Sequence, residues 1–481
     1  MSNYPGVEFD EIWRAALQPS DYKNPNPQSR YHLAIVGAGP AGLIAAIGAA
    51  GLGANVALIE RHTMGGDCLN VGCVPSKCLL DYSKKHPNDF DGAFAWLREV
   101  RAGIAPHDSV TRYTELGVDV FLGDAKFADD GTLDVDGVKI NARKYALCTG
   151  ASAAVPPIPG LRESDPLTNE NVFDLQEKPK SIAVLGGGPI GCELAQAFAR
   201  MGVEVHLFEM ADRVLAIESE RASEIVGAAL IESGVTLHLG SGVESVVRDG
   251  KEVEITNSQG KVRTEQVLVA LGRSPNTAGL NLEAVGVTLD ERKSIQVDDK
   301  LRSSNKDIFA AGDCTAKLQF THHADAQARA LVQNSLFAAT AKVDGFVVPH
   351  CTYTTPEVAS VGESEVSLNK SGTAYDTYEV AFNELDRGRA ENDDTSFAQV
   401  FCEKGSDKIL GASIVGHDAG EQLSPICLMM SNSLGLSAAA KTILAYPTRS
   451  EYVKRLGDAY NRTRFTPFAQ RVTKAWFKFR E

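Results

Sequence analysis

The sequence is short of positive charge. Against 62 acidic residues it sets 48 lysines and arginines, a formal net charge of −14. A nucleic-acid binder needs a basic face to neutralise phosphate, so that class is excluded. The acidic balance serves solubility instead. Residues 1–30 are polar and contain prolines, with no apolar h-region, so no secretory signal is expected. Nine cysteines, an odd number at irregular spacings, do not read as a disulfide framework. Both observations point to a reducing, cytoplasmic setting, where a close cysteine pair is catalytic or metal-binding rather than structural. An uninterrupted apolar span is also missing. Leu33 to Ile59 carries no charge, but six glycines punctuate it (Gly37, Gly39, Gly42, Gly48, Gly51 and Gly53). A membrane span of about 20 residues is therefore set aside for a buried strand, turn, helix and strand.

What the chain does have is an internal repeat. The apolar run Tyr31-His-Leu-Ala-Ile-Val36 enters Gly37-Ala-Gly39-Pro40-Ala41-Gly42, then a small-residue helix, then Asn55-Val-Ala-Leu-Ile59 and Glu60. Ser181-Ile-Ala-Val-Leu185 enters Gly186-Gly-Gly188-Pro189-Ile190-Gly191, a helix, then Val203 to Phe208 and Glu209. In both copies the acid falls 23 positions after the first glycine. Two such units, each strand-turn-helix with the acid in register, read as two dinucleotide-binding folds. The first glycine makes the turn, the second lets the backbone approach a pyrophosphate, and the third lets helix and strand pack closely. The phosphates sit where free N–H groups and the helix dipole favour anions. Glu60 and Glu209 are placed to accept from a ribose 2′-hydroxyl. A carboxylate at Glu209 repels a 2′-phosphate, which favours NADH over NADPH.

The second landmark is Gly65-Gly66-Asp67-Cys68-Leu-Asn-Val-Gly72-Cys73-Val-Pro-Ser-Lys77. In a regular helix the Cys68–Cys73 spacing exceeds the disulfide limit of about 7 Å between Cα atoms, so a bridge requires a distorted turn, which Gly72 permits. Thiols near a helix start and close to Lys77 are expected to have lowered pKa values. Without a second Cys/His pair nearby the two cysteines make a poor zinc site, so no metal is expected and the pair reads as redox-active. Cys78, Cys148, Cys192, Cys314, Cys351, Cys402 and Cys427 read as buried thiols. His322 and His323 read as structural or backbone-contacting.

With these motifs in place, the chain resembles the class I pyridine nucleotide-disulfide oxidoreductases, a family that includes dihydrolipoamide dehydrogenase, glutathione reductase and mercuric reductase. The likeness is closest to the mercuric-reductase-like branch. It covers roughly 31–460, and Gly65 to Lys77 is its most specific motif. The resemblance implies an α/β protein with two Rossmann-like domains, for FAD and NAD(P)H, and a C-terminal α+β dimerisation domain. The implied boundaries are an N-terminal arm at 1–30, FAD-binding segments at 31–160 and 281–345, an NAD(P)H-binding domain at 161–280, a dimerisation domain at 346–465 and a basic aromatic tail at 466–481. FAD is implied to lie along the first unit near Glu60, Arg61, Gly66 and Asp67, with Ala125, Thr149, Gly150, Gly312 and Asp313 also at its site. Gly186 to Gly191, Glu209 and Gly272 would hold NADH. Cys73 would contact the flavin and Cys68 would exchange with substrate. Lys77 and Glu193 resemble an ion pair beside the nicotinamide. A homodimer is implied, in which Tyr446 and Glu451 complete the partner's site.

The chain departs from the family pattern at Ala445-Tyr446-Pro-Thr-Arg-Ser-Glu451. Disulfide-reducing members place a histidine where Tyr446 stands. A phenol titrating near ~10 is a poor base beside an imidazole near ~6.5. Tyrosine there resembles mercuric reductase, yet the Cys-Cys end and the CxxC carrier domain of those enzymes are missing. Asp67 is a second departure, expected to raise the Cys68 pKa. Pro189 stands where glutathione reductases carry an aromatic lid. The activity implied is an FAD-dependent NAD(P)H oxidoreductase passing electrons through Cys68–Cys73 to a thiol/disulfide-type substrate. The alternatives are reduction of mercuric or another soft-metal ion and, from another class, a catalytically weak FAD-bound redox sensor or scaffold. The tail from Arg462 to Arg480, basic and aromatic, is expected to pack on the partner subunit, the alternative being an amphipathic segment lying on a membrane surface.

Overall fold

A computed structural model describes residues 4–315 and 318–480. Met1 to Asn3 of the expected arm and Glu481 of the tail lie outside the described residues. The chain divides into two compact units.

The first unit comprises 1–186, 194–210 and 234–345. It holds a five-stranded parallel sheet in the order Ile308–Ala310, Ala142–Leu147, Tyr31–Val36, Val56–Glu60, Val118–Leu122. Leu33 to Val36 and Val56 to Ile59 are buried at every position, because both faces of a parallel sheet are covered. The glycine-broken run at 33–59 is thus strand, helix (Pro40–Gly51) and strand. A second parallel sheet runs Val235–His238, Glu204–Phe208, Ser181–Leu185, Gln266–Val269. Each sheet has a βαβ unit feeding a glycine turn, as the repeat required. Between them in sequence, Ala151–Ala153 pairs antiparallel with Arg273–Pro275.

The arm begins with a helix at Val7–Leu17. Leu17 joins the core beneath the first sheet, and Trp13 packs against it. Beyond the helix, the Tyr22 hydroxyl donates to the Val120 carbonyl at 2.8 Å, and Asn24 exchanges two hydrogen bonds with the backbone of Leu122.

The second unit takes in 187–193, 211–233 and 346–481. Its five-stranded antiparallel sheet runs Pro349–Thr352, Glu357–Gly362, Ile409–Gly416, Phe397–Glu403, Tyr375–Ala381. Helices Ala419–Ser431 and Glu451–Thr463 pack their apolar faces on it, with Tyr452 and Leu456 fully buried. A last helix, Pro467–Arg480, has no buried residue. No helix among the described residues is long and apolar enough to cross a membrane.

Candidate active site

The two nucleotide turns are built by close backbone approach. A Cβ on Gly42 would sit 1.8 Å from the Gly37 carbonyl oxygen, and Gly37 itself adopts φ +102°. Gly186 has φ +112°, and a Cβ there would lie 2.4 Å from the Ala270 carbonyl oxygen. Only glycine meets these requirements. Gly66 approaches Gly39 so closely that a Cβ on it would lie 2.5 Å from the Gly39 Cα.

Beside the first turn lies a cavity of about 570 Å³, lined by Gly37, Glu60, Arg61, Ala125, Thr149 and Asn276 among others. Its wall combines glycine backbone with four carboxylates (Glu60, Asp124, Asp134 and Asp136), the Arg61 guanidinium and Lys126, and the backbone with Glu60 and Arg61 suits a nucleotide. The Glu60 carboxylate accepts from the Ala38 N–H at 2.7 Å and the His62 N–H at 2.8 Å, which fixes its orientation in that wall. The glycine cradle and the donor set together fit an FAD adenosine and pyrophosphate. Thr149 and Gly150 are tied to the crossing segment: the Thr149 hydroxyl donates to the Asn276 carbonyl at 2.7 Å, and the Asn276 N–H donates to the Gly150 carbonyl at 3.0 Å.

The cysteine loop breaks the helix as its spacing demanded. Gly66–Asn70 is one short helix and Cys73–Lys85 the next. Gly72 turns the chain with φ −142°, ψ −111°, and a Cβ on it would be 2.8 Å from the Asp67 carbonyl oxygen. Cys68 and Cys73 come within hydrogen-bonding reach of each other. The Thr321 hydroxyl lies 3.5 Å from Cys73 Sγ and also interacts with Cys68. Thr321 opens the helix Thr321–Leu336. Within the segment Gln319 to Ala324 it is the threonine, not a histidine, that reaches the thiols. His323 Nδ1 lies 3.1 Å from the Leu318 carbonyl, the backbone contact expected of it.

Two expectations for the thiols are corrected. Cys68 is not lowered; its pKa is pushed well above the ordinary thiol range, first by the hydrogen bond with Cys73 and then by burial. Nor is Asp67 the carboxylate that acts on it. Asp67 is ion-paired with Arg273, and the acidic charge felt by Cys68 is that of Asp108. Arg273 also faces Asp313, with Nε 3.5 Å from the carboxylate, and bonds the Ala151 carbonyl. Burial raises the Asp313 pKa and the Arg273 charge opposes the rise. Sequence reasoning missed Arg273, although it directly follows Gly272.

Lys77, on the helix Cys73–Lys85, donates to the Ser76 hydroxyl at 3.3 Å. In the second unit Glu193 is buried and accepts from the Tyr353 N–H at 2.9 Å. Cys192 beside it donates to the Gly187 carbonyl at 3.2 Å. Of the other cysteines, Cys78, Cys148, Cys314 and Cys402 are buried, and Cys351 and Cys427 are half-buried. No cluster among the described residues could hold a metal ion. Tyr446 is exposed and donates its hydroxyl to Asp386, while Glu451 pairs with Arg455 at 2.8 Å.

This chain matches the pyridine nucleotide-disulphide oxidoreductase family over residues 31–328 and that family's dimerisation domain over 348–456. It belongs to that family. A mercuric reductase from Staphylococcus aureus is 33% identical over 449 residues, 89% of this chain and 82% of the relative. A dihydrolipoyl dehydrogenase from Chlamydia muridarum is 32% identical, covering 87% of this chain and 94% of the relative. Among solved structures, the Cu(II) complex of the HOCl-induced flavoprotein disulfide reductase RclA from Escherichia coli superposes with a TM-score of 0.82 at 28% identity, covering 90% of this chain and 100% of RclA. The protein is thus an FAD-binding oxidoreductase of the flavoprotein disulfide reductase type, with a dimerisation domain.

Proposed function

We propose that this enzyme takes electrons from NADH and delivers them through the Cys68–Cys73 pair to a thiol- or disulfide-type substrate. Bound FAD supplies the two-electron chemistry between nicotinamide and disulfide. The reading rests on one observation above the rest: the helix break at Gly72 brings the two thiols within hydrogen-bonding reach, next to the Thr321 hydroxyl. Gly37, Gly42, Glu60 and Asp313 bind and orient FAD. Gly186 and its helix receive the NADH pyrophosphate, and Glu209, at the end of the strand Glu204–Phe208, favours NADH by repelling a 2′-phosphate. Cys73 faces the flavin and Cys68 meets the substrate. Lys77 and Glu193 are the charged residues that serve the nicotinamide. In a homodimer, Tyr446 and Glu451 complete the partner's site. Nine cysteines, an odd number at irregular spacings, favour a reducing cytoplasm.

A soft-metal ion is the second candidate substrate. Its support is Tyr446, a phenol in place of an imidazole base, together with the mercuric reductases among the relatives. Thiolates bind soft metals without a base acting on the leaving thiol.

The test is Cys73→Ser in the holoenzyme. NADH reduces its flavin at the wild-type rate, but turnover with disulfides and with mercuric ion falls at least a hundredfold. Unchanged turnover refutes the proposed route.

A further inference from the structure

The arm lies ahead of the span matched by the family, which starts at residue 31, yet it reaches the redox loop. Trp13, on the helix Val7–Leu17, donates its indole N–H to the Asn70 side-chain oxygen at 2.8 Å. Asn70 stands between Cys68 and Cys73 and is only 4% exposed. Its amide nitrogen donates to the Met64 carbonyl at 2.9 Å and to the Thr63 hydroxyl at 3.2 Å. Its backbone carbonyl accepts from Arg101 at 3.2 Å. Arg101, 1% exposed, is in turn fixed by the arm: it donates to Asp10 at 2.8 Å and lies over the Trp13 ring at 4.3 Å from its centre. The Met64 N–H donates to the Leu17 carbonyl at 3.3 Å. So Asn70 is held from three sides, and two of its holders, Trp13 and Arg101, depend on the helix Val7–Leu17.

We propose that the helix Val7–Leu17 is a positioning strap which, through Trp13 and Asn70, holds the loop in the conformation that closes the Cys68–Cys73 disulfide. The proposal rests on the redox reading of that pair. A disulfide needs a narrow range of sulfur positions, and the loop reaches it only by breaking a helix at Gly72. A held loop favours closure, whereas a loosened loop favours the open dithiol. The strap therefore lowers the reduction potential of the pair without touching flavin, nicotinamide or substrate.

The experiment equilibrates the holoenzyme with glutathione buffers, in which two glutathiones reduce the Cys68–Cys73 disulfide to the dithiol and leave as glutathione disulfide. Trp13→Phe keeps the ring over Arg101 and removes the N–H. Its equilibrium moves toward the dithiol by about fivefold, the size of one buried hydrogen bond, and the long-wavelength thiolate–flavin absorbance of the half-reduced protein changes. The rate at which NADH reduces the flavin stays at the wild-type value. Trp13→His, whose ring can donate, restores much of the equilibrium. A Trp13→Phe protein with lowered thermal stability but wild-type equilibrium and absorbance overturns the strap and leaves it a structural helix. A wild-type protein with no glutathione-titratable pair overturns the redox reading instead, so the two failures are distinct.

Discussion

Tyr446 gives its hydroxyl to Asp386, and Glu451, which the family pattern assigns to the residue at that position, is bound to Arg455. The hydrogen bond and charge of Asp386 raise the Tyr446 pKa further above its ordinary value. Tyr446 is therefore a hydrogen-bond donor at neutral pH and not a base. On the proposed reading, Tyr446→His next to Asp386 installs an imidazole already paired with a carboxylate. It is expected to raise lipoamide or glutathione-disulfide reduction by about a hundredfold, the lower end of general-base effects. Steady-state rates against pH check this, and the gain should appear as pH rises above ~6.5, because the Asp386 carboxylate favours the charged imidazolium. An unchanged rate removes the missing base as the reason for weak disulfide exchange.

On the proposed reading, the two glycine turns belong to different nucleotide sites. Gly42→Ala drives a methyl group into the Gly37 carbonyl, and Gly186→Ala drives one into the Ala270 carbonyl. The first variant is expected to purify with little flavin, measured by the 450 nm to 280 nm absorbance ratio. The second keeps its flavin but raises the KM for NADH by about tenfold, equivalent to ~1.4 kcal/mol of lost binding. Loss of flavin from both variants contradicts the assignment.

The raised Cys68 pKa has a pH consequence for the reduced protein. A thiol held above its unfolded value is fully protonated in the fold when the unfolded chain begins to ionise. Its contribution to stability is complete below the ordinary thiol range near ~8.5 and declines as pH rises beyond it toward the folded pKa. Thermal melts of the dithiol form should fall between pH 8 and 10 more steeply than those of Cys68→Ser. Parallel slopes contradict the raised value. Iodoacetamide should correspondingly label Cys68 slowly at pH 7.

What the sequence made legible was whatever a short motif forces. The turns at Gly37 and Gly186 could be read because no other residue tolerates the backbone approach, and the break at Gly72 because an unbroken helix keeps the cysteines apart. The strand, helix and strand of 33–59 followed from the glycines within an uncharged run. What stayed hidden depends on partners distant in sequence. Arg273 meets Asp67 across 206 positions, and neither residue carries a local sign of the other. Without that pairing, Asp67 was read as a charge acting on Cys68. Trp13 meets Asn70 across 57 positions, so residues 1–30 read only as an arm. Thr321 was overshadowed by two histidines, because a hydroxyl aimed at a sulfur has no pattern of its own.

The most direct test of the central claim is an anaerobic titration of the purified holoenzyme with NADH and then dithionite, followed by absorbance. A flavin connected to the Cys68–Cys73 pair takes up about four electrons, with a long-wavelength band at the half-way point from a thiolate lying against the flavin. Uptake of about two electrons with no such band would mean that the cysteines are disconnected from the flavin, and it would contradict the account.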